Sequence, residues 1–373
     1  MNNSLGIYVH VPFCLSKCAY CDFYSLECID AKGEEYVDKI VSEINRWGGV
    51  LNNPPADTLY FGGGTPSLLK SSQIKAIIDS AMNSFSLKSA EITLEVNPGD
   101  ELADFFAQVK KAGVNRISVG MQSANDNELK YLSRRHSALQ VEKTVTAARV
   151  AGINNISLDI MLGIPGQTKE SLKQTVQFAL SLDPQHISAY LLSLEPKTPL
   201  YKNKEKYVFP NDDEAGELYL YTCELLKKAG YNRYEISNFA KSGYESRHNS
   251  KYWQGADYLG LGPAAHSFIN GKRFYYKRDI NKYLASPTEV FDGEGGDAAE
   301  TLMLRLRLSS GLNIKDYANK FKLTDIKINR LIKKAELLNK NDLVRLDGMV
   351  ISLTDKGALL SNAVIGEFLN CLG

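Results

Sequence analysis

Three closely spaced cysteines are the residues of this sequence best suited to chemistry. Cys14, Cys18 and Cys21 follow a short apolar segment, residues 6–11, at CxxxCxxC spacing. Thiolates this close together can converge on one side of a loop and occupy three corners of an iron–sulfur cube. Because a structural zinc ion or an electron-transfer cluster usually has four protein ligands, three cysteines would leave one iron free for a small molecule. Spacing alone leaves two alternatives open: a partial zinc knuckle completed by Cys28 or a histidine, and three unrelated buried thiols.

The composition is that of a globular protein with balanced charge. The chain has 373 residues, 44% apolar and 23% charged, with a net charge of +1, which argues against nucleic acid as its main partner. No apolar run reaches membrane-spanning length, and no signal-peptide pattern precedes the first predicted strand. A disulfide framework is not indicated, and an iron–sulfur motif needs a reducing compartment, so we expect a cytoplasmic protein. The remaining cysteines are expected to be free thiols: Cys28, Cys223 and Cys371.

Strand and helix patterns alternate along the first half of the chain. Apolar runs ending in glycine or polar residues predict six strands, at residues 6–11, 58–61, 91–96, 116–120, 155–161 and 186–192. Helical spacing of apolar residues predicts intervening helices at 33–47, 71–85, 101–112, 138–151 and 171–182. Six consecutive units of this kind predict an α/β fold with a parallel sheet, either an open barrel or a doubly wound sheet.

Polar or glycine residues stand at the carboxyl end of nearly every predicted strand. In parallel sheets these ends meet at one edge, where ligands bind. The glycines of residues 62–64 could expose backbone N–H groups to an anion or let a ligand approach the chain, or they could simply form a tight turn. Glu95 and Asp159 interrupt apolar strands and are either buried with partners or site carboxylates. Their common position favours one site at this edge of the sheet.

Five segments together resemble a known family. They read YVHVPFCLSKCAYCDF, GGGTP, LEVNP, RISVGMQS and LDIMLGIPGQ, in this order. This series is similar to the radical S-adenosylmethionine (SAM) subfamily that contains oxygen-independent coproporphyrinogen III oxidase and related haem chaperones, and the resemblance covers essentially the full length. It implies a partial (β/α)6 radical SAM barrel followed by a smaller α-rich, winged-helix-like C-terminal domain. It also implies a [4Fe–4S] cluster on Cys14, Cys18 and Cys21, with SAM on the fourth iron.

The resemblance implies further cofactor-binding residues. Gly63, Gly64 and Thr65 would contact the amino group and carboxylate of SAM through backbone and hydroxyl, and Tyr20 would lie near the adenine. Arg134 occupies the family's basic position, although the neighbouring Arg135 leaves that assignment ambiguous by one residue. The other residues expected to line the SAM site are Tyr8, Glu95, Gln122 and Asp159. In this family the reduced cluster passes an electron to the sulfonium and releases a 5′-deoxyadenosyl radical, shielded from water by the barrel.

Two features favour the haem-chaperone branch of the subfamily. Only thirteen residues precede Cys14, and Phe23 stands where the oxidase has a further cysteine. Residues 248–253 read HNSKYW, which matches the HNxxYW motif of the chaperones. The resemblance then implies binding of haem as cargo and its delivery to haem-dependent, such as respiratory, proteins. The alternative is an enzyme that oxidatively decarboxylates coproporphyrinogen III to protoporphyrinogen IX. We leave open whether the protein is an enzyme, whether it is a homodimer, and whether partners bring it to a membrane.

The HNxxYW residues, expected in a loop, have a possible role in haem binding. His248 can coordinate iron as a neutral imidazole, and Tyr252 and Trp253 offer flat apolar faces to a porphyrin. The alternative is a packed turn. His266 is a second candidate ligand with the same alternative. The other histidines are expected to be structural or unrelated to the site: His10, His136 and His186.

The chain divides into three predicted parts. Residues 1–240 form the barrel, residues 241–297 a connecting segment that carries HNxxYW, and residues 298–373 a C-terminal domain of helices and one hairpin. The last part resembles a winged-helix module. Its third helix has a basic face formed by Lys327, Arg330 and Lys334. We expect it to cover the barrel mouth or to dock a partner. A DNA-binding regulator that uses the cluster as a sensor is the alternative, and it is disfavoured by the net charge.

Overall fold

The protein is described by a computed structural model covering residues 4–27, 32–99 and 102–373. The strands of this part are β1 (Leu5–Val11), β2 (Phe13–Cys14), β3 (Leu26–Glu27), β4 (Ala56–Gly63), β5 (Glu91–Val96), β6 (Arg116–Gln122), β7 (Asn155–Leu162), β8 (His186–Leu191), β9 (Asn232–Arg233), β10 (Asn238–Ala240), β11 (Tyr258–Leu261), β12 (His266–Ile269), β13 (Lys272–Tyr276), β14 (Glu289–Glu294), β15 (Leu312–Asn313), β16 (Val344–Asp347) and β17 (Val350–Leu353). Cys28, a suggested zinc ligand, lies outside the described residues.

Helices follow most of the parallel strands and form most of the C-terminal part. They are α1 (Gly33–Val50), α2 (Ser71–Phe85), α3 (Ala103–Ala112), α4 (Asp126–Tyr131), α5 (Ala138–Val150), α6 (Lys169–Ser181), α7 (Pro199–Lys202), α8 (Asp212–Lys228), α9 (Arg247–Gln254), α10 (Ile280–Ala285), α11 (Ala298–Leu306), α12 (Ile314–Phe321), α13 (Asp325–Lys340), α14 (Asp355–Leu359) and α15 (Ser361–Leu369). None of the helices within the described ranges combines the length and apolar character that a membrane span requires.

The main sheet has twelve strands in the order β14-β13-β12-β11-β1-β4-β5-β6-β7-β8-β10-β9. Strands β1 and β4 to β8 are mutually parallel, as six strand–helix units require. The remaining strands extend this open sheet on both sides, β11 in parallel with β1 and the others antiparallel. The predicted fold class, a partial (β/α)6 barrel followed by a smaller C-terminal domain, is confirmed.

The two faces of the parallel sheet differ in chemistry because side chains alternate along each strand. One face carries aliphatic residues that pack under the helices, including Ile7, Leu59, Leu94, Ile117 and Leu158. The other face lines the lumen of the barrel and is polar, with Tyr8, Tyr60, Glu95, Ser118 and Asp159 at neighbouring register positions. The period of two therefore gives the barrel an apolar outside and a polar interior.

Residues 241–297 contribute to the same sheet through β11 to β14. The HNxxYW residues lie in helix α9, so the expectation of a loop was wrong. Ser246 caps this helix by accepting a hydrogen bond from the N–H of Asn249, and Gly255 ends it with φ of 64°. Both signals are local, but the eight residues between them are largely polar and too few to show helical periodicity.

The C-terminal part packs against the edge of the barrel. Strands β15, β17 and β16 form a small antiparallel sheet, in that order. In β9, the guanidinium of Arg233 donates to Asp355 Oδ1 at 2.8 Å and to the carbonyl of Leu353 at 2.9 Å. These bonds are largely buried on the arginine side. They join the last strand of the large sheet to the C-terminal part.

Candidate functional site

The cysteine loop lies at the carboxyl end of the parallel strands. Cys14 belongs to β2, just beyond β1, and all three thiols are partly exposed. Ala19 fixes the middle of the loop, because its N–H donates to the carbonyl of Leu132 at 3.2 Å and its carbonyl accepts from the N–H of Leu200 at 2.8 Å. Segments distant in sequence therefore hold the loop over the barrel.

Two polar side chains reach the thiols. Thr65 Oγ1 donates to Cys14 Sγ at 3.7 Å, and Arg134 Nη1 donates to Cys18 Sγ at 3.4 Å. Burial raises the pKa of the Cys14 and Cys21 thiols, so a metal that binds them must displace protons. Within the described ranges, no three histidine, cysteine or carboxylate side chains are close enough to share one metal ion. The three thiols match in number three corners of a four-iron cube, whose ligands are spread over its corners.

Arg134 and the neighbouring Arg135 differ in their contacts. The Arg134 Nη2 donates to Asn97 Oδ1 at 2.7 Å and to the carbonyl of Gly120 at 2.6 Å. Asn97 in turn donates to Thr65 Oγ1 at 2.7 Å. Arg135 is exposed. Of the two arginines, Arg134 thus bonds the Cys18 thiol. Its chain of bonds with Asn97 and Thr65 borders a cavity of about 180 Å³.

The glycine turn after β4 allows its backbone to lie very close to His10 and Phe13. Gly63 has φ of +108°, and a Cβ there would lie 2.5 Å from His10 Cε1. A Cβ on Gly64 would lie 2.5 Å from the carbonyl oxygen of Phe13. Any larger residue would push the turn away from β1 and the cysteine loop. The glycines let two backbone segments meet beside Cys14.

The backbone N–H groups of this turn are not free to bind an anion, contrary to one expectation from the sequence. The N–H of Gly63 donates to Glu95 Oε2 at 3.2 Å, that of Gly64 to the carbonyl of Val11 at 2.8 Å, and that of Thr65 to the carbonyl of Phe13 at 2.7 Å. These contacts complete the turn internally. What the turn can offer a ligand is therefore its carbonyl oxygens and the Thr65 hydroxyl, which suit an ammonium group.

The two lumen carboxyls, Glu95 and Asp159, are partly buried and hydrogen-bonded. Glu95 Oε1 accepts from the Tyr60 hydroxyl at 2.8 Å, and Asp159 Oδ1 accepts from Ser118 Oγ at 3.2 Å. Burial raises the pKa of Glu95 to about 7 and also raises the pKa of Asp159. Both groups thus face the lumen as carboxyls that gain their charge at higher pH than exposed ones.

Other predicted residues surround the same end of the barrel. The Tyr8 hydroxyl bonds His10 Nδ1 at 3.0 Å, and His10 Nε2 donates to the carbonyl of Tyr24 at 2.9 Å. Tyr20 packs against a small apolar cluster that contains Leu132, Met161 and Ile164. Gln122 is buried and has φ of 67° at the irregular end of β6.

The HNxxYW residues lie elsewhere, at the amino ends of the strands. His248 is 1% exposed; its Nδ1 bonds Thr58 Oγ1 at 2.8 Å and its Nε2 bonds the Tyr252 hydroxyl at 2.8 Å. Both ring nitrogens are therefore occupied within the protein. Trp253 packs under the guanidinium of Arg307, 5.3 Å from its ring centroid. His248 also packs against the lumen residues Tyr8 and Tyr60, with ring centroids 6.3 and 5.1 Å apart. The motif thus closes the amino end of the lumen, whereas the thiols lie at its carboxyl end.

Arg116 is a lumen residue that we did not single out from the sequence. It is 1% exposed, and within the described part of the chain its Nε has no hydrogen-bond partner and its guanidinium no carboxylate within 4.0 Å. Its charge lowers the pKa of Glu95 and Asp159, opposing the effect of burial. The available signal was an arginine at an inward position of β6, two residues before Ser118.

Comparison with known proteins gives consistent results over the whole chain. Residues 8–179 match the model of the radical SAM superfamily, and residues 297–360 match that of the HemN C-terminal domain. The haem chaperone HemW of Lactococcus lactis is 34% identical over 97% of this chain and 96% of its own length. HemW of Bacillus subtilis is also 34% identical, over 97% of this chain and 98% of its own length. The chain belongs to the HemW family.

The structure of Escherichia coli coproporphyrinogen III oxidase, HemN, shares the fold of this HemW-family chain. It covers 99% of the chain and 90% of its own length, with a TM-score of 0.83 and 23% identity. The radical SAM superfamily implies a [4Fe–4S] cluster and SAM. The donor set fits this implication, because the partly exposed cysteine loop carries three thiols and Arg134 and Thr65 contact two of them.

Proposed function

We propose that this protein is a haem chaperone that carries a [4Fe–4S] cluster and SAM, binds haem as cargo and delivers it to haem-dependent proteins such as respiratory enzymes. The observation that carries the proposal is the near full-length similarity to HemW haem chaperones. We place the protein in the cytoplasm, at a membrane only through its acceptors, with no role for nucleic acid.

The proposed cluster ligands are Cys14, Cys18 and Cys21. When bound, the cluster would supply an open iron for the methionine amine and carboxylate and, once reduced, an electron for the sulfonium. Arg134 places its positive charge beside Cys18, with Nη1 donating to the sulfur at 3.4 Å. Thr65 donates its hydroxyl to the sulfur of Cys14 at 3.7 Å.

The SAM site extends from the glycine turn into the lumen. Carbonyl oxygens of Gly63 and Gly64 would accept hydrogen bonds from the ammonium group, since their N–H groups are already used. Glu95 and Asp159 would accept from ribose hydroxyls or face the sulfonium. The further proposed contacts are Tyr8, Tyr20, Thr65 and Gln122. The buried polar wall excludes bulk water while keeping hydrogen-bonding groups aimed inward.

An anaerobic assay with two substrates tests the function. Reconstituted protein with SAM and reductant receives haem in one tube and coproporphyrinogen III in another. We expect stoichiometric haem binding, haem transfer to an added haem-free acceptor protein, and no protoporphyrinogen. Steady decarboxylation with release of 5′-deoxyadenosine would overturn the proposal and identify a biosynthetic oxidase.

A further inference from the structure

The five histidines of the chain all lie within the described residues and differ in the freedom of their ring nitrogens. Four are buried and hydrogen-bonded: His10, His136, His186 and His248. Of these, His10, His186 and His248 use both ring nitrogens. A buried imidazole of this kind could coordinate iron only by breaking bonds and uncovering itself, which costs about 1–3 kcal/mol for each polar group left unpaired.

His266 is the exception. It begins β12, its side chain is 60% exposed, and within the described part of the chain neither of its ring nitrogens has a hydrogen bond. The imidazole stacks on Tyr275, with ring centroids 5.1 Å apart and an interplanar angle of 23°. Its Nδ1 lies 3.9 Å from Asp292 Oδ2. At 3.9 Å this contact is not a hydrogen bond, but it places the carboxylate on the Nδ1 side. In metal sites, a carboxylate on that side orients the imidazole and leaves the other nitrogen for the metal.

We infer that His266 Nε2 is the protein ligand of the haem iron when this chaperone carries its cargo. The inference rests on the proposed haem-chaperone function and specifies where the haem would be held. The neutral imidazole donates its lone pair to the iron, and no electron transfer is involved. Asp292 is a positioning residue, because it acts on the iron only through His266.

The surroundings of His266 suit a flat, anionic ligand. His266 pairs across the sheet with Tyr275, which pairs with Val290 on the next strand. This row of three side chains is the haem surface that we propose. Partial burial lowers the pKa of His266, and the nearby guanidiniums of Arg273 and Arg278 lower it further, whereas Asp292 raises it. Arg273 is paired with Glu300, so the half-exposed Arg278 is the guanidinium that would meet a haem propionate.

The location of this surface fits a ligand that must be handed on. A haem lying on an open sheet face would keep its other face available to an acceptor, so transfer need not unfold the chaperone. Arg278 also donates to the backbone carbonyl of Asp22, the residue after Cys21, and its Nη2 lies 3.5 Å from the Asp22 carboxylate. Arg278, whose charge acts on His266, therefore connects the haem surface with the cysteine loop.

Haem titration of reconstituted full-length protein tests the assignment, followed by absorption and electron paramagnetic resonance spectra. We expect His266→Ala to weaken haem binding at least tenfold and to remove the imidazole-ligand signature, and free imidazole to restore that signature in His266→Gly. Because His266 is exposed, the thermal midpoint and iron content should not change. Lys272→Ala is the control, because Lys272 is exposed on the same strand, β13, but at a position that alternates to the face opposite Tyr275, and it should keep the wild-type spectrum.

The results of this experiment distinguish the assignment of His266 as the haem ligand from the proposed chaperone function on which it rests. Unchanged affinity and spectrum in His266→Ala, with haem still bound and transferred, would overturn the ligand and leave the chaperone function standing. Failure of the unmodified protein to bind haem at all would overturn both.

Discussion

The two ends of the barrel carry the two motifs by which this chain resembles its family, and the structure treats them in opposite ways. At the carboxyl end, Cys14, Cys18 and Cys21 are partly exposed, and Cys18 lines a cavity. At the amino end, His248 is enclosed and bonded through both nitrogens. A motif of reactive residue types can therefore serve a ligand at one end and the internal hydrogen-bond network at the other.

The difference between His248 and the three thiols indicates which property a candidate ligand residue must have. A side chain whose polar atoms are all used must lose those bonds before it binds anything else. A side chain with free atoms and a route to solvent binds without that cost. By this criterion, the cysteine loop and His266 are open to ligands, and His248 is not.

The largest expected effect is loss of the cluster. Replacing Cys14, Cys18 and Cys21 together by Ala should reduce iron and sulfide in anaerobically reconstituted protein from about four of each per chain to background. Colorimetric iron and sulfide analysis measures this. Cys371→Ala is the control, because Cys371 lies in the C-terminal part, and it should leave the content unchanged. Unchanged content in the triple variant would disprove the cluster assignment.

The next largest effect is expected on protein stability, from a substitution at the amino end of the barrel. His248→Ala should destabilise the protein by about 2–4 kcal/mol, because it leaves a cavity and strands the hydroxyls of Thr58 and Tyr252. Urea unfolding followed by circular dichroism measures this, with exposed His266→Ala as the matched control. If His248→Ala instead removed the haem spectrum without loss of stability, the contrast between the two ends would be wrong.

Glu95, which lies in the lumen between the two ends, should make the free energy of unfolding depend on pH by about 1–3 kcal/mol. Burial raises its pKa from 4.5 to about 7, so the folded protein binds this proton more tightly than the unfolded chain does. The contribution of the Glu95 proton to the stability of the folded protein is complete below pH 4.5, and it is lost as the pH rises toward and through 7. Glu95→Gln should therefore gain stability relative to the unmodified protein from pH 5 to pH 8. A difference in unfolding free energy that does not vary with pH would contradict the raised pKa.

The smallest of these effects separates two adjacent arginines. Arg134→Ala should weaken SAM binding about tenfold, since it removes the charge beside Cys18 and frees Asn97 from its partner. Arg135→Ala should change binding less than about twofold, because its side chain is exposed. Isothermal titration with the reconstituted protein measures both. Equal losses would mean that general positive charge, rather than the bond to Cys18, matters.

The fold could be predicted largely from local pattern. The six parallel strands were found because apolar runs end in glycine or polar residues, and the observed strand Glu91–Val96 coincides with the predicted one. Helices α4 and α9 were not predicted because they are short and polar. Capping residues mark their ends, but the helices are too short to show periodicity.

The state of individual site residues could not be predicted, because it depends on distant partners. His248 and His266 look equivalent in the sequence, yet one meets Thr58, 190 positions away, and the other meets solvent. The N–H groups of the glycine turn are likewise occupied by Val11 and Phe13, far earlier in the chain. Arg116 was overlooked because its one signal, the alternation that places it on the same face as Ser118, shows the face but not that the charge is buried.

The position of β1 within the sheet has a consequence for biosynthesis. Gly6 of β1 pairs with Tyr258 of β11, so one side of this strand has no partner until that much of the chain exists. At roughly 5–20 residues per second, the delay is on the order of 10–50 s. The cysteine loop also waits for Leu200, whose N–H bonds Ala19. During this interval the thiols are more exposed than in the finished protein, and oxidation competes with cluster insertion while the ribosome is still at work.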